Sequence, residues 1–296
     1  MNKQRFIVLL TVIILCAIFS AVVIIKNLLS EHLENNGEKK PLERGQIRVE
    51  FIDVGKGDCI IIRSGNSTVM IDTGYKETAD DVYDHLEASG VTRIDTLILT
   101  HYDKDHIGGT KKLLSGYTVG KIYIPDYEKD SKKYQKLIKV IDKNDVNVYT
   151  VSDSVTFKAD KVAYTVMASG VAYDSEKEND NDMSLLVAVT YGNDSFLFTG
   201  DIEEEGINSF LSRADRTYDV IKIPHHGKTE KNTRSLLDSI RPKYAFITDD
   251  KDKKADSKLC RLLESNGINY YCTSKCGTVT ITGDGSGNYQ IETEKK

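Results

Sequence analysis

The chain has 296 residues, 40 % hydrophobic and 29 % charged, with a formal net charge of -5. These values fit a folded globular protein and exclude a disordered chain. With only five cysteines they also exclude a disulfide-rich scaffold, and the acidic balance excludes a basic protein that coats nucleic acid through many phosphate contacts.

Lys3 and Arg5 precede FIVLLTVIILCAIFSAVVII, an uncharged run over residues 6–25. As a helix it spans about 30 Å, enough to cross the apolar core of a bilayer. It is longer than the apolar region of a usual signal peptide, and Ala17, Ser20 and Ala21 lie inside it. The sequence therefore predicts one N-terminal transmembrane helix over 1–25, with a cleaved signal sequence as the alternative. The basic flank predicts a cytoplasmic N-terminus and an extracellular globular part at the cell membrane, secreted if the segment is cleaved. Residues 26–45 read as a polar linker and 46–293 as the folded domain.

Strands are predicted at 47–53, 59–64 and 68–72, a helix over 78–89, and a strand over 95–100. Helices at 107–115 and 128–143 flank a strand at 120–124. The lysines of 129–139 alternate with apolar residues at helical spacing and read as a solvated helix face. Strands follow near 147–150, 162–168, 184–190 and 195–199, the last two joined by a turn at Gly192, Asn193 and Asp194. A helix at 202–211, a strand at 218–223, a helix at 231–240, a strand at 243–248, a helix at 256–266 and a terminal hairpin complete the chain. Cys59 reads as a buried thiol, whereas Cys272 and Cys276 flank the predicted hairpin turn, where an oxidising compartment would let them bridge. This order predicts an α+β domain of two mixed sheets with helices outside them.

Four segments end apolar strands with groups that can hold metal. HYDKDHIGG supplies His101, Asp103, Asp105 and His106; FIDVGKGD supplies Asp53 and Asp58; FLFTGD supplies Asp201; VIKIPHHG supplies His225 and His226. Imidazole and carboxylate suit zinc, manganese or iron. Ligands arriving from separate strands suit a binuclear site, with Asp201 as the natural bridge because a carboxylate has two oxygens. Two divalent ions about 3.5–4 Å apart can hold a hydroxide and clamp a displacement at phosphorus. No nucleophilic triad is evident. Asp53 and Asp58 read equally well as polar turns.

The ordered segments FIDVGKGDCIII, VMIDTG, LILTHYDKDHIGG, NDMSLLVAV, FLFTGD and VIKIPHHG resemble the metallo-β-lactamase superfamily. More narrowly they resemble the competence-protein metallohydrolase domain of the ComEC/Rec2 type and related phosphorylcholine esterases. The resemblance implies a four-layer αββα sandwich holding two divalent ions, Zn2+ or Mn2+. His101 and Asp103 would bind the first, with Asn181 near the usual place of a third histidine. Asp105, His106 and His225 would bind the second, with Asp201 bridging and His226 as the alternative to His225. Asp105 and Asp201 would thereby take part in catalysis, Asp53 and Asp58 would orient ligands from behind, and Asp72 would brace the turn below. Asp103 in place of histidine is typical of the competence branch and favours harder ions.

The chain departs from that pattern where Lys228 replaces a serine after HHG, either contacting a phosphate or facing solvent. Asp249, Asp250 and KDKKADSK replace an Asn…His-Pro segment, and no pore portion is present to form a DNA channel. The expected function is metal-dependent hydrolysis of phosphodiester bonds, in DNA or in a cell-envelope substrate such as phosphorylcholine. The alternatives are a non-catalytic metal-binding surface protein that recognises DNA or wall polymer, and a lactonase or β-lactamase-type hydrolase. The membrane is an expected partner through the N-terminal helix, and no obligate protein partner is evident.

Overall fold

In β1 (Ile47–Phe51) the alternate residues Ile47, Val49 and Phe51 face one core, as the two-residue period of a strand requires. The computed structural model describes residues 42–43, 45–177 and 179–295, together with 18 and 20. β2 (Ile60–Ser64) and β3 (Ser67–Ile71) continue antiparallel from β1. β4 (Arg93–Ile94), β5 (Thr96–Ile98) and β6 (Thr118–Val119) follow, β4 and β6 forming a small parallel pair of their own. β7 (Lys121–Pro125) and β8 (Asn147–Val151) extend the sheet in parallel from β5, which itself runs parallel to β3.

The second sheet begins as an antiparallel meander of β9 (Ser154–Ala159), β10 (Val162–Met167), β11 (Leu186–Tyr191) and β12 (Asp194–Phe198). β13 (Val220–Lys222), β14 (Tyr244–Ile247) and β15 (Asn269–Cys272) then add in parallel. β16 (Val279–Gly283) and β17 (Tyr289–Thr293) return to the first sheet, with β16 beside β1.

The facing sides of the two sheets bury one apolar cluster, in which Phe51 stacks on Phe246 at 4.2 Å and 3°. On the outer side of the first sheet lie α1 (Ala79–Ala88), α2 (Lys104–Ile107), α3 (Thr110–Gly116) and α4 (Lys132–Lys143). Their Val82, Leu86, Leu113 and Leu137 pack on Leu97, Leu99 and Ile122. α5 (Glu204–Leu211), α6 (Thr233–Ile240) and α7 (Ser257–Ser265) cover the second sheet, with Phe210, Leu237 and Leu259 against Leu197 and Ile221. These layers make the αββα sandwich.

The sequence expectations differ from the structure at several points. The transmembrane helix expected over 1–25 falls outside the described residues except for Ile18 and Ser20. Among the described residues no helix is long and apolar enough to cross a membrane. This corrects the expected membrane span, and with it the membrane partner and the cell-membrane localisation that rested on it. Spanning takes about twenty apolar residues in one helix, and an apolar run in sequence only permits one. The helix expected at 107–115 corresponds to α3, which starts at Thr110, with α2 ending at Ile107 before it; an added Cβ at Gly109 between them would lie 2.3 Å from the Thr73 carbonyl oxygen. That close approach seats the α2–α3 junction on the loop after β3.

The predicted hairpin around Cys272 and Cys276 is a crossover. β15 belongs to the second sheet, and the short helix α8 (Thr273–Cys276) carries the chain back to the first. Cys272 and Cys276 are both free thiols, as are Cys59 and Cys260. β9 is absent from the sequence expectations although its Val155, Phe157 and Ala159 alternate with polar residues and pack against the inner cluster.

Phe51 and Phe246 join the two sheets through one stacked pair. Phe246→Ala is expected to cost about 3–5 kcal/mol, read as a lower urea midpoint at unchanged slope. A loss below about 1 kcal/mol would contradict this account of the core.

Candidate metal centre

Every segment of the site follows the C-terminal end of a strand, so the polar loops collect at one edge of the sandwich. Asp72 follows β3 in the left-handed region at φ 57°. Its Oδ1 accepts the Thr100 N–H at 2.8 Å; its Oδ2 accepts the Thr100 hydroxyl at 2.6 Å and the His106 Nδ1–H at 2.7 Å. These bonds hold the loop after β5 in place and assign the His106 tautomer, leaving Nε2 free. The sheets are joined here as well, since Leu185 N–H donates to the Thr100 carbonyl at 2.9 Å.

The other two central histidines are held in the same way. His101 Nδ1 lies 3.2 Å from the Thr100 hydroxyl and 3.3 Å from that of Ser184. His226 Nδ1 donates to the Thr248 carbonyl at 2.9 Å. The Nε2 atoms of His101, His106 and His226 are buried and have no hydrogen-bond partner among the described residues. One such orphan costs about 1–3 kcal/mol, and three turned inward are the donor set a cation needs. Burial and the neighbouring His106 push the His101 imidazole down to about 4, which keeps it neutral and able to ligate.

Asp201 is the shared member. Its Oδ2 lies 2.9 Å from His226 Nε2 and 3.3 Å from His106 Nε2, yet neither contact has hydrogen-bond geometry. Ligand atoms of His101, His106 and Asp201 fall within 4.8 Å of one another, as do those of Asp105, His106 and His226 and those of Asp58, Asp201 and His226. The overlap of these groups allows one or two metal ions. Burial alone would raise the Asp201 carboxyl, but His226, His106 and Lys222 outweigh it and hold it well below the usual carboxylate range. Burial disfavours the charged form of His106, and Asp201 and Asp72 overcome that and raise its pKa. Such a demand for positive charge is met by a proton or by a metal ion, and imidazole sheds the first to bind the second.

Lys222, which sequence reasoning did not single out, is fully buried beneath the centre. Its ammonium reaches Asp58 Oδ2 at 2.6 Å, Asp201 Oδ1 at 3.2 Å and the Gly200 carbonyl at 2.9 Å. Burial opposes its charge, but Asp58 and Asp201 prevail and raise its pKa. The signal available was a lysine inside the apolar run DVIKIP. Asp58 also accepts the Thr248 hydroxyl at 2.6 Å, which connects it to the His226 support.

The remaining candidates lie around this cluster. Asp103 precedes the first turn of α2 without a side-chain capping bond, half-exposed, with its carboxylate 4.0 Å from Lys133. His225 and His226 both adopt left-handed backbone, at φ 46° and 54°, a reversal that turns His226 inward and His225 outward. His225 Nδ1 sits 2.8 Å from Glu203 Oε1, which Lys228 also approaches at 2.6 Å. Asn181 Nδ2 is 3.5 Å from the same Glu203 oxygen. Asp53 pairs with Lys295 at 3.0 Å, away from the histidines. Asp249 is occupied with the Ala255 and Ser274 backbone N–H groups.

A profile described as the Metallo-beta-lactamase superfamily matches residues 52–165. ComE operon protein 3 of Bacillus subtilis is 26 % identical over 253 residues, 78 % of this chain and 32 % of that protein. Competence protein ComA of Neisseria gonorrhoeae is 27 % identical over 66 % of this chain and 26 % of its own length. Recombination protein 2 of Haemophilus influenzae is 24 % identical over 71 % of this chain and 25 % of its own. The chain thus spans a third or less of these relatives. Among solved structures, the metallo-beta-lactamase fold protein YhfI from Bacillus subtilis superposes with a TM-score of 0.53 at 12 % identity, covering 76 % of this chain and 95 % of that one. A variant of the CmlA beta-hydroxylase gives 0.51 at 14 % identity, covering 79 % and 53 %.

Removing the ammonium while keeping the bulk, as in Lys222→Met, leaves Asp58 and Asp201 buried without their lysine. This is expected to destabilise the protein by about 3–5 kcal/mol in urea unfolding; a change under about 1 kcal/mol would show that Lys222 does not sustain the centre. The layers, the matched segment and the ligand clusters agree: the chain has the metallo-β-lactamase superfamily fold, with overlapping His and Asp groups capable of binding one or two metal ions, as a binuclear metal-dependent hydrolase requires.

Proposed function

We propose that the chain is a phosphodiesterase working with two divalent ions, Zn2+ or Mn2+. The observation that carries this reading is the convergence of three orphaned imidazole nitrogens, from His101, His106 and His226, on the Asp201 carboxylate. His101, His106, Asp105 and His226 would hold the ions, with Asp201 shared between them. When bound, the ions supply Lewis acidity and lower the pKa of a water molecule. Hydrolysis adds water across a P–O bond, giving a phosphate monoester and an alcohol.

The protein's own residues keep this arrangement rigid. Asp72 orients His106, Thr248 orients His226, and Lys222 with the Ser184 hydroxyl (3.0 Å from the Asp201 N) fixes Asp201. Such supporting bonds are commonly worth about 10–100-fold in metal affinity or activity. At the mouth, Lys228 offers a point charge to a phosphate oxygen, held there by Glu203 and Glu230. Three imidazoles with two carboxylates suit zinc and also admit manganese. The relatives named for competence and recombination support a phosphodiester, the bond of nucleic-acid backbones.

Purified protein should bind about two ions per chain by elemental analysis and hydrolyse bis(p-nitrophenyl) phosphate when supplied with zinc or manganese. Asp201→Ala should lower the rate by at least about a hundredfold. Equal rates for the two proteins would overturn the mechanism. Turnover of lactones or β-lactams but no diester would overturn the substrate class, and retained metal without any turnover would overturn the enzymatic reading.

A further inference from the structure

α2 has two flanks. One presents Asp105 and His106 to the metal centre; the other, with Lys104 and Ile107, lines a groove of about 470 Å³. Six lysines rim this groove: Lys76 before α1, Lys104 on α2, Lys111 and Lys112 on α3, and Lys133 and Lys136 on α4. A solvated helix face accounts for the lysines of α4 alone, but not for four segments bringing theirs together. This excess runs against the chain's net charge of -5.

Little within the groove neutralises it. Asp80 is the one carboxylate among its lining residues, and Lys112 already pairs with it at 2.6 Å. Lys133 lies 4.0 Å from Asp103. Among the described residues, Lys76, Lys104, Lys111 and Lys136 have no ion pair with any carboxylate. The floor is aliphatic, from Ile107, Leu137 and Val140; the nearby aromatic rings of Tyr75 and Tyr83 lie against the ammonium groups of Lys104 and Lys112 at the rim, at 5.7 and 4.9 Å. Binding of single-stranded nucleic acid relies on aromatic faces for base stacking, and the floor of this groove offers none, its two neighbouring tyrosines being occupied by lysines. Its concave shape suits an extended chain better than a flat lipid surface.

We propose that this groove binds a base-free polyol phosphate chain, the lysines taking successive phosphates and the floor taking the carbon backbone. The proposal rests on the phosphodiesterase reading for its link to the metal centre, since Lys104 and Asp105 are consecutive residues on the two flanks of α2.

The test uses the full chain and the exposed double variant Lys111→Gln, Lys136→Gln. Binding of poly(glycerol phosphate) is measured by fluorescence anisotropy at low salt in the presence of a chelator, with circular dichroism confirming the fold. Oligothymidylate of equal phosphate number and anionic phospholipid vesicles serve as competitors. The wild type should bind the polyol phosphate more tightly than either competitor, and the double variant should bind it about fivefold to tenfold more weakly. Hydrolysis of bis(p-nitrophenyl) phosphate by the metal-loaded variant should stay unchanged. Equal polymer binding by the two proteins overturns the groove, as does preference for oligothymidylate or for vesicles. Polymer binding that depends on the lysines, in a protein that cleaves no diester, leaves the groove standing and overturns the hydrolase reading instead.

Discussion

Asp58, Asp72 and Asp201 are almost wholly removed from water, and the surrounding structure exists in large part to answer their charge. A buried carboxylate without partners is among the costliest features a fold can contain. Here each is met by specific partners: Asp72 by Thr100 and His106, Asp58 by Lys222 and Thr248, and Asp201 by the Lys222 ammonium, with the His106 and His226 imidazoles close by. These partners come from both sheets. The central edge of the sandwich is therefore held together by electrostatics, and the apolar interior around Phe51 and Phe246 by packing. The two kinds of cohesion meet where β5 and β12 end.

Much of this was legible in the chain itself. Apolar runs that stop abruptly at HYDKDH, at FTGD and at IPHH already say that strands deliver metal-capable groups to one edge, because a buried strand rarely carries several of them along its length. The choice between His225 and His226 was not legible. It depends on two consecutive left-handed residues, a conformation that no local pattern in PHHG announces. Lys222 was hidden by a reading that gives charged residues to the surface, whereas a lysine at the end of a fully buried strand needs an internal partner. The crossover through α8 was obscured for another reason: β15 and β16 look like a hairpin by sequence spacing, but β15 pairs with β14 in one sheet and β16 with β1 and β17 in the other.

The metallo-β-lactamase fold serves many chemistries, so the architecture alone says little about substrate. What distinguishes this chain is the balance of its ligands and the character of its surroundings. Asp103 stands at the mouth beside a lysine rather than among the buried histidines, and the outward His225 joins Glu203 and Lys228 in a charged rim. The interior set is compact and shielded, while the rim is ionic and wet. An anionic substrate would meet the lysines before it met the buried centre.

The partner of β1 on its outer side is β16, and this has a bearing on how the protein comes to be folded. The sheet that carries Asp58 and Asp72 has its edge completed by residues 279–293, so β1 waits for a segment far along the chain to be synthesised. Closure over such a sequence separation is slow, because chain entropy is lost before the distant contact forms. Meanwhile β1 has an open edge of unpaired amides and carbonyls, a surface to which other chains readily add. Successful assembly of this enzyme thus depends on keeping that edge apart from its neighbours until translation of the β16–β17 segment is done.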